Sequence, residues 1–277
     1  MIIVAESGST KTHWVAIQEN EVVHTAESTG FNPNYYPSQV LEEAAAGLAK
    51  TISAQSVTEI FYYGSGCSSD RAKNTVRAAI RTQFPHASIA VEHDLFGAAR
   101  ALFGNGKGIA CILGTGSSSC LFDDGKILAV IPSLGYLLAD EGSGMDIGKR
   151  LLNAYFKRSF PPELLQEFEK KYPHTLENFI GDVYTHDKPN ALIASFTPFA
   201  VDNRKHPFIN DLVRGAFRNF FSEIILKYPE AEKYHLGFAG SVAYLFREEL
   251  EEIASGYNMT MHRILRHPVD ALVEYHM

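Results

Sequence analysis

Two short turns rich in glycine, serine and threonine are the places where this chain could do chemistry. One is Gly114-Thr115-Gly116-Ser117-Ser118-Ser119, entered from an apolar run at 109–113 and left through Cys120-Leu121-Phe122. The other is Glu6-Ser7-Gly8-Ser9-Thr10-Lys11-Thr12, entered from Ile2-Ile3-Val4 and left through Trp14-Val15-Ala16-Ile17. A turn of this composition is either a tight hairpin that needs glycine for its geometry or a nest of backbone N–H groups and hydroxyls. Such a nest can hold a phosphate, because glycine lets the backbone approach closely. Each turn is followed by a second apolar strand, a polar turn and a third strand, so the two halves of the chain begin alike. That repetition favours the phosphate reading for both turns.

The elements around the turns are legible from periodicity. The first 106 residues read as three strands, then helix, strand, helix, strand, helix. The helix at 38–54 carries Val40, Leu41, Ala44, Ala45, Leu48 and Ile52, with Ser38 as its expected N-cap. Asp94 opens the helix that ends at Gly104-Asn105-Gly106. The second half starts with strands at 109–113, 119–123 and 127–131. Its helices are expected from Gly144 to about Phe156 and at 162–171, 175–184, 189–201 and 207–227, punctuated by prolines. A strand at 234–239 then ends in Gly240-Ser241, followed by a helix over 242–254, a strand over 259–264 and a closing helix over 269–275. In α/β folds ligands bind beyond the carboxyl ends of strands. Both turns, Gly64-Ser65-Gly66, Asp94 and Gly240-Ser241 all lie at such ends, and could converge on one cleft.

Composition narrows the class of partner. The chain has 277 residues, 45% hydrophobic and 21% charged, with a formal net charge of −7. A pI of about 5.9 argues against nucleic acid or an anionic membrane surface as partner. The cysteines, Cys67, Cys111 and Cys120, are scattered without metal-ligand spacing and suit a reducing compartment. No apolar run approaches the roughly 20 residues of a membrane span, and the N-terminus enters a strand directly. A cytoplasmic protein acting on a small molecule is the expectation.

In these residues the chain resembles the BadF/BadG/BcrA/BcrD ATPase family, and within it the N-acetylglucosamine kinases of the sugar kinase, Hsp70 and actin superfamily. The carriers are the turn from Glu6 to Thr12, Asn32 after Gly30-Phe31, His93-Asp94-Leu95-Phe96-Gly97, Leu113-Gly114-Thr115-Gly116-Ser117, Gly135, Ala139-Asp140-Glu141-Gly142-Ser143, and Gly237-Phe238-Ala239-Gly240-Ser241. The resemblance implies an α/β protein of two RNase-H-like domains, in the manner of an actin-like ATPase, with a nucleotide cleft between them. The domains would be 1–106 and 107–267, the second with a helical insertion, and the closing helix 268–277 would pack on the first.

The resemblance also implies ATP-dependent phosphorylation of an amino sugar hydroxyl, N-acetylglucosamine to its 6-phosphate, with ATP and Mg2+ and a homodimer as one assembly. Asp94 would be the catalytic base, and Glu6 would orient the metal's water. Ser7, Gly8, Ser9, Thr10, Lys11, Gly114, Thr115, Gly116, Ser117, Gly240 and Ser241 would bind ATP. Asn32, Gly135, Asp140 and Glu141, with Asp94, would bind the sugar. His93 reads as a structural neighbour of Asp94. Ser7 and Ser9 stand where relatives carry glycine; a serine can still donate to phosphate, but at a positive-φ position it would cost about 1 kcal/mol. Two other readings remain: an ATPase that activates a partner enzyme through an iron–sulfur cluster, and a non-catalytic nucleotide or sugar sensor.

Overall fold

The computed structural model describes residues 1–8, 10–173 and 175–277. The chain divides into two compact units, one of 1–106, 124–127 and 267–277, the other of 107–123 and 128–266.

The first unit runs β1 (Ile2–Ser7), β2 (Lys11–Gln18), β3 (Glu21–Thr29), α1 (Gln39–Ala49), β4 (Glu59–Gly64), α2 (Asp70–Arg81), β5 (Ser88–His93) and α3 (Asp94–Phe103). The second runs β6 (Gly108–Leu113), β7 (Ser117–Asp123), β8 (Lys126–Val130), α4 (Gly144–Phe156), α5 (Pro162–Lys171), α6 (Leu176–Thr185), α7 (Pro189–Ala194), α8 (Thr197–Asp202), α9 (Pro207–Glu223), β9 (Leu236–Ala239), α10 (Ser241–Leu245), α11 (Arg247–Gly256) and β10 (Met261–Leu265). The last helix, α12 (Val269–His276), belongs to the first unit, where it packs on α3 and β1.

Among the described residues the sheets follow one plan, β3-β2-β1-β4-β5 and β10-β9-β6-β7-β8. In each, the first strand of the unit pairs antiparallel with the next strand and parallel with a later one, β1 with β2 and β4, β6 with β7 and β9. The repeated strand pattern of the sequence is thus a repeated fold. Each sheet has its own core. Ile3, Ala5, Trp14, Ile60 and Phe84 anchor the first; Ile109, Leu113, Phe217, Phe220 and Phe238 anchor the second.

Three local expectations give way to the structure. Ser38 makes no capping bond to the backbone; its hydroxyl donates to Glu42 Oε1 over 2.9 Å. The helix expected over 189–201 is two helices. Pro198 has no N–H to donate to the Ala194 carbonyl, so the ladder stops and restarts. The helix expected over 242–254 also divides, at Phe246, which leaves helical geometry at φ −112°, ψ 35° and is buried in the second core.

Candidate active site

In the first unit the carboxyl ends of β1, β4 and β5 lie level, with Ser7 paired to Gly64 and Gly64 to His93. That register brings Glu6, Gly64-Ser65-Gly66 and Asp94 to one end of the sheet. Glu6 is half-buried, and its carboxyl is pushed up to about 7, first by burial and then by the charge of Asp94. Asp94 is the first residue of α3, and its Oδ1 accepts from Leu95 N over 2.8 Å. The N-cap position belongs to His93, whose Nδ1 lies 3.0 Å from Asp94 Oδ1 and 3.3 Å from Leu95 N. Asp94 therefore sits inside the first turn, where the helix dipole favours a negative charge.

The turn between β1 and β2 is closed by Gly8 N donating to Lys11 O over 2.9 Å. Gly30 N bonds Thr10 O, and a Cβ on Gly30 would lie 2.3 Å from Gly8 O and 2.7 Å from the nitrogens of Thr10 and Lys11. Gly30 is thus a hidden determinant of the turn's shape, seen in the sequence only as the neighbour of Asn32.

Two side chains expected on phosphate point elsewhere. Ser7 is fully buried in extended backbone at the end of β1; its hydroxyl lies 2.7 Å from Thr12 Oγ1 and accepts from Phe31 N over 3.2 Å. Ser7 is not at a positive-φ position, so that cost does not arise there, and its hydroxyl is used inside the sheet. Lys11 lies in β2, and its Nζ donates to Glu27 Oε2 over 2.6 Å on the surface. Thr10 is exposed on the turn, and Ser9 lies outside the described residues. Asn32 Oδ1 accepts from Asn34 N over 2.9 Å and is pressed by Gly66, where φ is 77° and a Cβ would come within 2.2 Å of it.

The second unit carries its own corner. Gly114 N donates to Gly116 O over 3.0 Å across the turn from β6 to β7. The N-terminus of α4 grips the turn from behind: Gly144 N bonds Gly114 O over 2.8 Å, and Met145 N bonds Thr115 O over 3.1 Å. Thr197 Oγ1 in turn donates to Gly144 O over 2.6 Å. These bonds fix the carbonyls of Gly114 and Thr115, and of the turn's amides those of Gly114 and Ser117 are engaged, with Gly116 O and Asp140 Oδ1. Gly240, at φ 113°, packs so closely that a Cβ would lie 2.4 Å from Leu113 O, and Ser241 next to it is exposed at the start of α10. Beside the turn lies a hollow of about 230 Å³, lined by Gly114, Thr115, Thr197, Val201, Ser241 and Leu245 among others.

Asp140 is 7% exposed and adopts left-handed backbone at φ 67°. Its Oδ1 accepts from Ser117 N over 3.0 Å. Burial raises its carboxyl above the usual range, the Ser117 N–H works in the opposite direction, and the charges of Glu141 and Asp146 add to the rise. Glu141 follows, half-buried. Gly135, at φ 73°, makes the preceding turn, its carbonyl accepting from Leu138 N and Ala139 N. Ser143 caps α4 by accepting from Asp146 N, while Asp146 Oδ2 accepts from Gly142 N and Oδ1 from Arg150 Nε. The spacing of Ser143 and Asp146 resembles a capping box and was the available signal for this brace. Gly144 and Thr197 carried no such signal.

The chain is therefore a two-sheet α/β protein with the actin-like ATPase fold. Its match to the BadF/BadG/BcrA/BcrD ATPase family spans residues 6–159, and the chain belongs to that family. It is similar to the solved "Putative N-acetylglucosamine Kinase" of Porphyromonas gingivalis, with 35% identity over 100% of this chain and 98% of that one and a TM-score of 0.94. A "Putative N-acetylglucosamine Kinase" of Chromobacterium violaceum shares the fold at 18% identity, over 100% and 98% of the two chains, with a TM-score of 0.76. So does MreB 5 of Spiroplasma citri bound to AMPPNP, at 8% identity, over 99% and 93%, with a TM-score of 0.62. No curated protein matches the chain by sequence.

The shifted carboxyl of Glu6 gives a stability signature. Its folded value of about 7 lies above the ordinary 4.5, so the fold favours the protonated form. The stability tied to that proton is fully present below 4.5 and is lost as pH rises through 7. Glu6→Gln removes it: relative to wild type, the variant's melting temperature is expected to gain from pH 5 to about 7 and then to level off towards pH 8. Thermal melts of both proteins over that range check it.

Proposed function

We propose that the chain transfers the γ-phosphoryl group of ATP to the hydroxyl of an amino sugar, with N-acetylglucosamine giving its 6-phosphate. The observation that carries this reading is the carboxylate of Asp94 at the level ends of β1, β4 and β5, beside Glu6, in a chain 35% identical along its length to a protein described as a "Putative N-acetylglucosamine Kinase". Phosphoryl transfer asks little covalent chemistry of a protein; it needs alignment, charge neutralisation and one well-placed base. The sugar oxygen attacks the γ-phosphorus, its proton passes to an Asp94 carboxylate oxygen, and the bond from γ-phosphorus to the bridging oxygen breaks, leaving ADP. Thr10 and the backbone at Gly8 in the first unit, and Thr115, Gly116 and Ser117 in the second, are assigned to phosphate oxygens. The hollow beside Gly114 and Ser241 suits an adenosine: Val201 and Leu245 offer apolar walls, Thr197 and Ser241 hydroxyl edges. Asn32, Gly135, Asp140 and Glu141 are assigned to the sugar.

Mg2+ takes oxygen ligands, keeps several waters and is commonly held by one or two carboxylates together with substrate phosphates. Glu6 fits that demand, since a carboxyl raised by burial and by a neighbouring charge gains from a cation; Glu6 would hold it through its waters, and when bound it neutralises phosphate charge.

The activator reading, with its iron–sulfur cluster, is disfavoured by the thiols. Cys111 and Cys120 are buried in β6 and β7, and burial pushes Cys67 and Cys120 each up to about 12 and Cys111 well above the ordinary thiol value. Ligation needs thiolates. The sensor reading, in which a serine-substituted first turn no longer supports transfer, is separated from the kinase reading by ADP formation: tight binding of ATP or sugar with no ADP formed would favour it. A coupled ADP-release assay over hexoses and amino sugars tests the proposal: N-acetylglucosamine is expected to give the highest kcat/KM, and uniform sugar-independent ADP release would refute it.

A further inference from the structure

The carboxylate of Asp140 and the anion-type turn of the second unit share one hydrogen bond, from Ser117 N to Asp140 Oδ1 over 3.0 Å. The contact is closer than that bond alone requires. A Cβ on Gly116 would lie 2.9 Å from Oδ1 and 3.0 Å from Oδ2, so the carboxylate rests against the turn's own backbone. Asp140 reaches this place in left-handed backbone and almost fully buried, an arrangement that costs free energy and persists because its surroundings enforce it. An anion approaching Ser117 N–H meets a donor already engaged and a like charge at short range in a partly desolvated corner.

Asp140 is also a proposed ligand of the sugar. A carboxylate has about four lone-pair sites and can accept from Ser117 and from a hydroxyl together. A hydroxyl that donates to it draws off part of its charge, which weakens both its hold on Ser117 N–H and its repulsion of phosphate.

We propose that Asp140 is a positioning residue that couples the acceptor to the nucleotide: without sugar its carboxylate occupies the second turn and keeps phosphate affinity low, and sugar binding releases the turn to ATP. This rests on the kinase reading above. The coupling is reciprocal, so the nucleotide tightens sugar binding by the same factor. It also limits loss of ATP to water while no sugar is bound.

Calorimetric titration of a non-hydrolysable ATP analogue, with and without saturating N-acetylglucosamine, measures the coupling. In wild type the sugar is expected to tighten the analogue about tenfold, a typical coupling between two sites. Asp140→Asn keeps an oxygen for Ser117 N–H and removes the charge. It is expected to bind the analogue about tenfold more tightly than wild type without sugar, to bind the sugar more weakly, and to show no further tightening when sugar is added. A merely structural Asp140 would weaken both ligands. Asp140→Gln serves as a second uncharged variant where Asp140→Asn does not fold. An uncharged variant that binds the analogue no better than wild type, or that keeps the wild-type coupling, overturns the proposal. Wild type that binds both ligands independently overturns the coupling and leaves the kinase reading standing; wild type that binds neither overturns both.

Discussion

Asp94→Asn is expected to lower kcat by roughly 10²- to 10⁴-fold, the usual contribution of a positioned general base. Asparagine matches aspartate in shape, and its side-chain oxygen can still accept from Leu95 N, as Asp94 Oδ1 does over 2.8 Å. The fold and the start of α3 are therefore expected to survive, and KM for sugar and ATP to change far less than kcat. A second effect separates loss of the base from general damage. The charge of Asp94 is the second cause, after burial, of the raised Glu6 carboxyl. Removing that charge lets Glu6 titrate at lower pH, so the pH range over which stability is lost moves down in the variant. Near-normal kcat with a shifted Glu6 would remove Asp94 as base while confirming that the two carboxyls interact.

Gly240→Ala carries the largest expected stability effect. Its φ of 113° is disfavoured for any residue with a Cβ, and that Cβ would stand 2.4 Å from Leu113 O and 2.8 Å from Leu113 C. Backbone strain costs about 1–3 kcal/mol, and forced overpacking adds about 1–3 kcal/mol. Relief requires β9 and β6 to part where Ile112 pairs with Ala239, next to the turn at Gly114. The variant is expected to melt several degrees below wild type and to bind nucleotide poorly. Gly114→Ala provides the contrast, because a Cβ there would meet nothing within 4 Å. It should keep wild-type stability and lose only nucleotide affinity, since it narrows the backbone approach to phosphate. Thermal melts and analogue titration of the two variants check both expectations.

The strands and most of the helices were legible because their burial follows simple periods. The doubled strand pattern, an arrangement local in sequence, gave the repeated sheet plan. Ser7 was also legible in principle: it continues the inward face of Ile3 and Ala5, which puts its hydroxyl in the core, while Glu6 alternates to the other face. The break between α7 and α8 was written in Pro198. What could not be read was contact between segments far apart in sequence. Gly30 shapes the first turn from the far end of β3. Asp140 reaches Ser117 from 23 positions away, and Thr197 holds Gly144 from 53. Lys11 pairs with Glu27 across β2 and β3, a match that depends on register.

Direct analysis of the acceptor after incubation with ATP and Mg2+ tests the central claim most closely. Mass spectrometry of the reaction is expected to show N-acetylglucosamine gaining one phosphoryl group, with ADP formed in equal amount, and NMR to place that group on the 6-oxygen. The product should fall by the same factor as ADP in Asp94→Asn. ADP accumulating while the sugar stays unmodified would contradict the account.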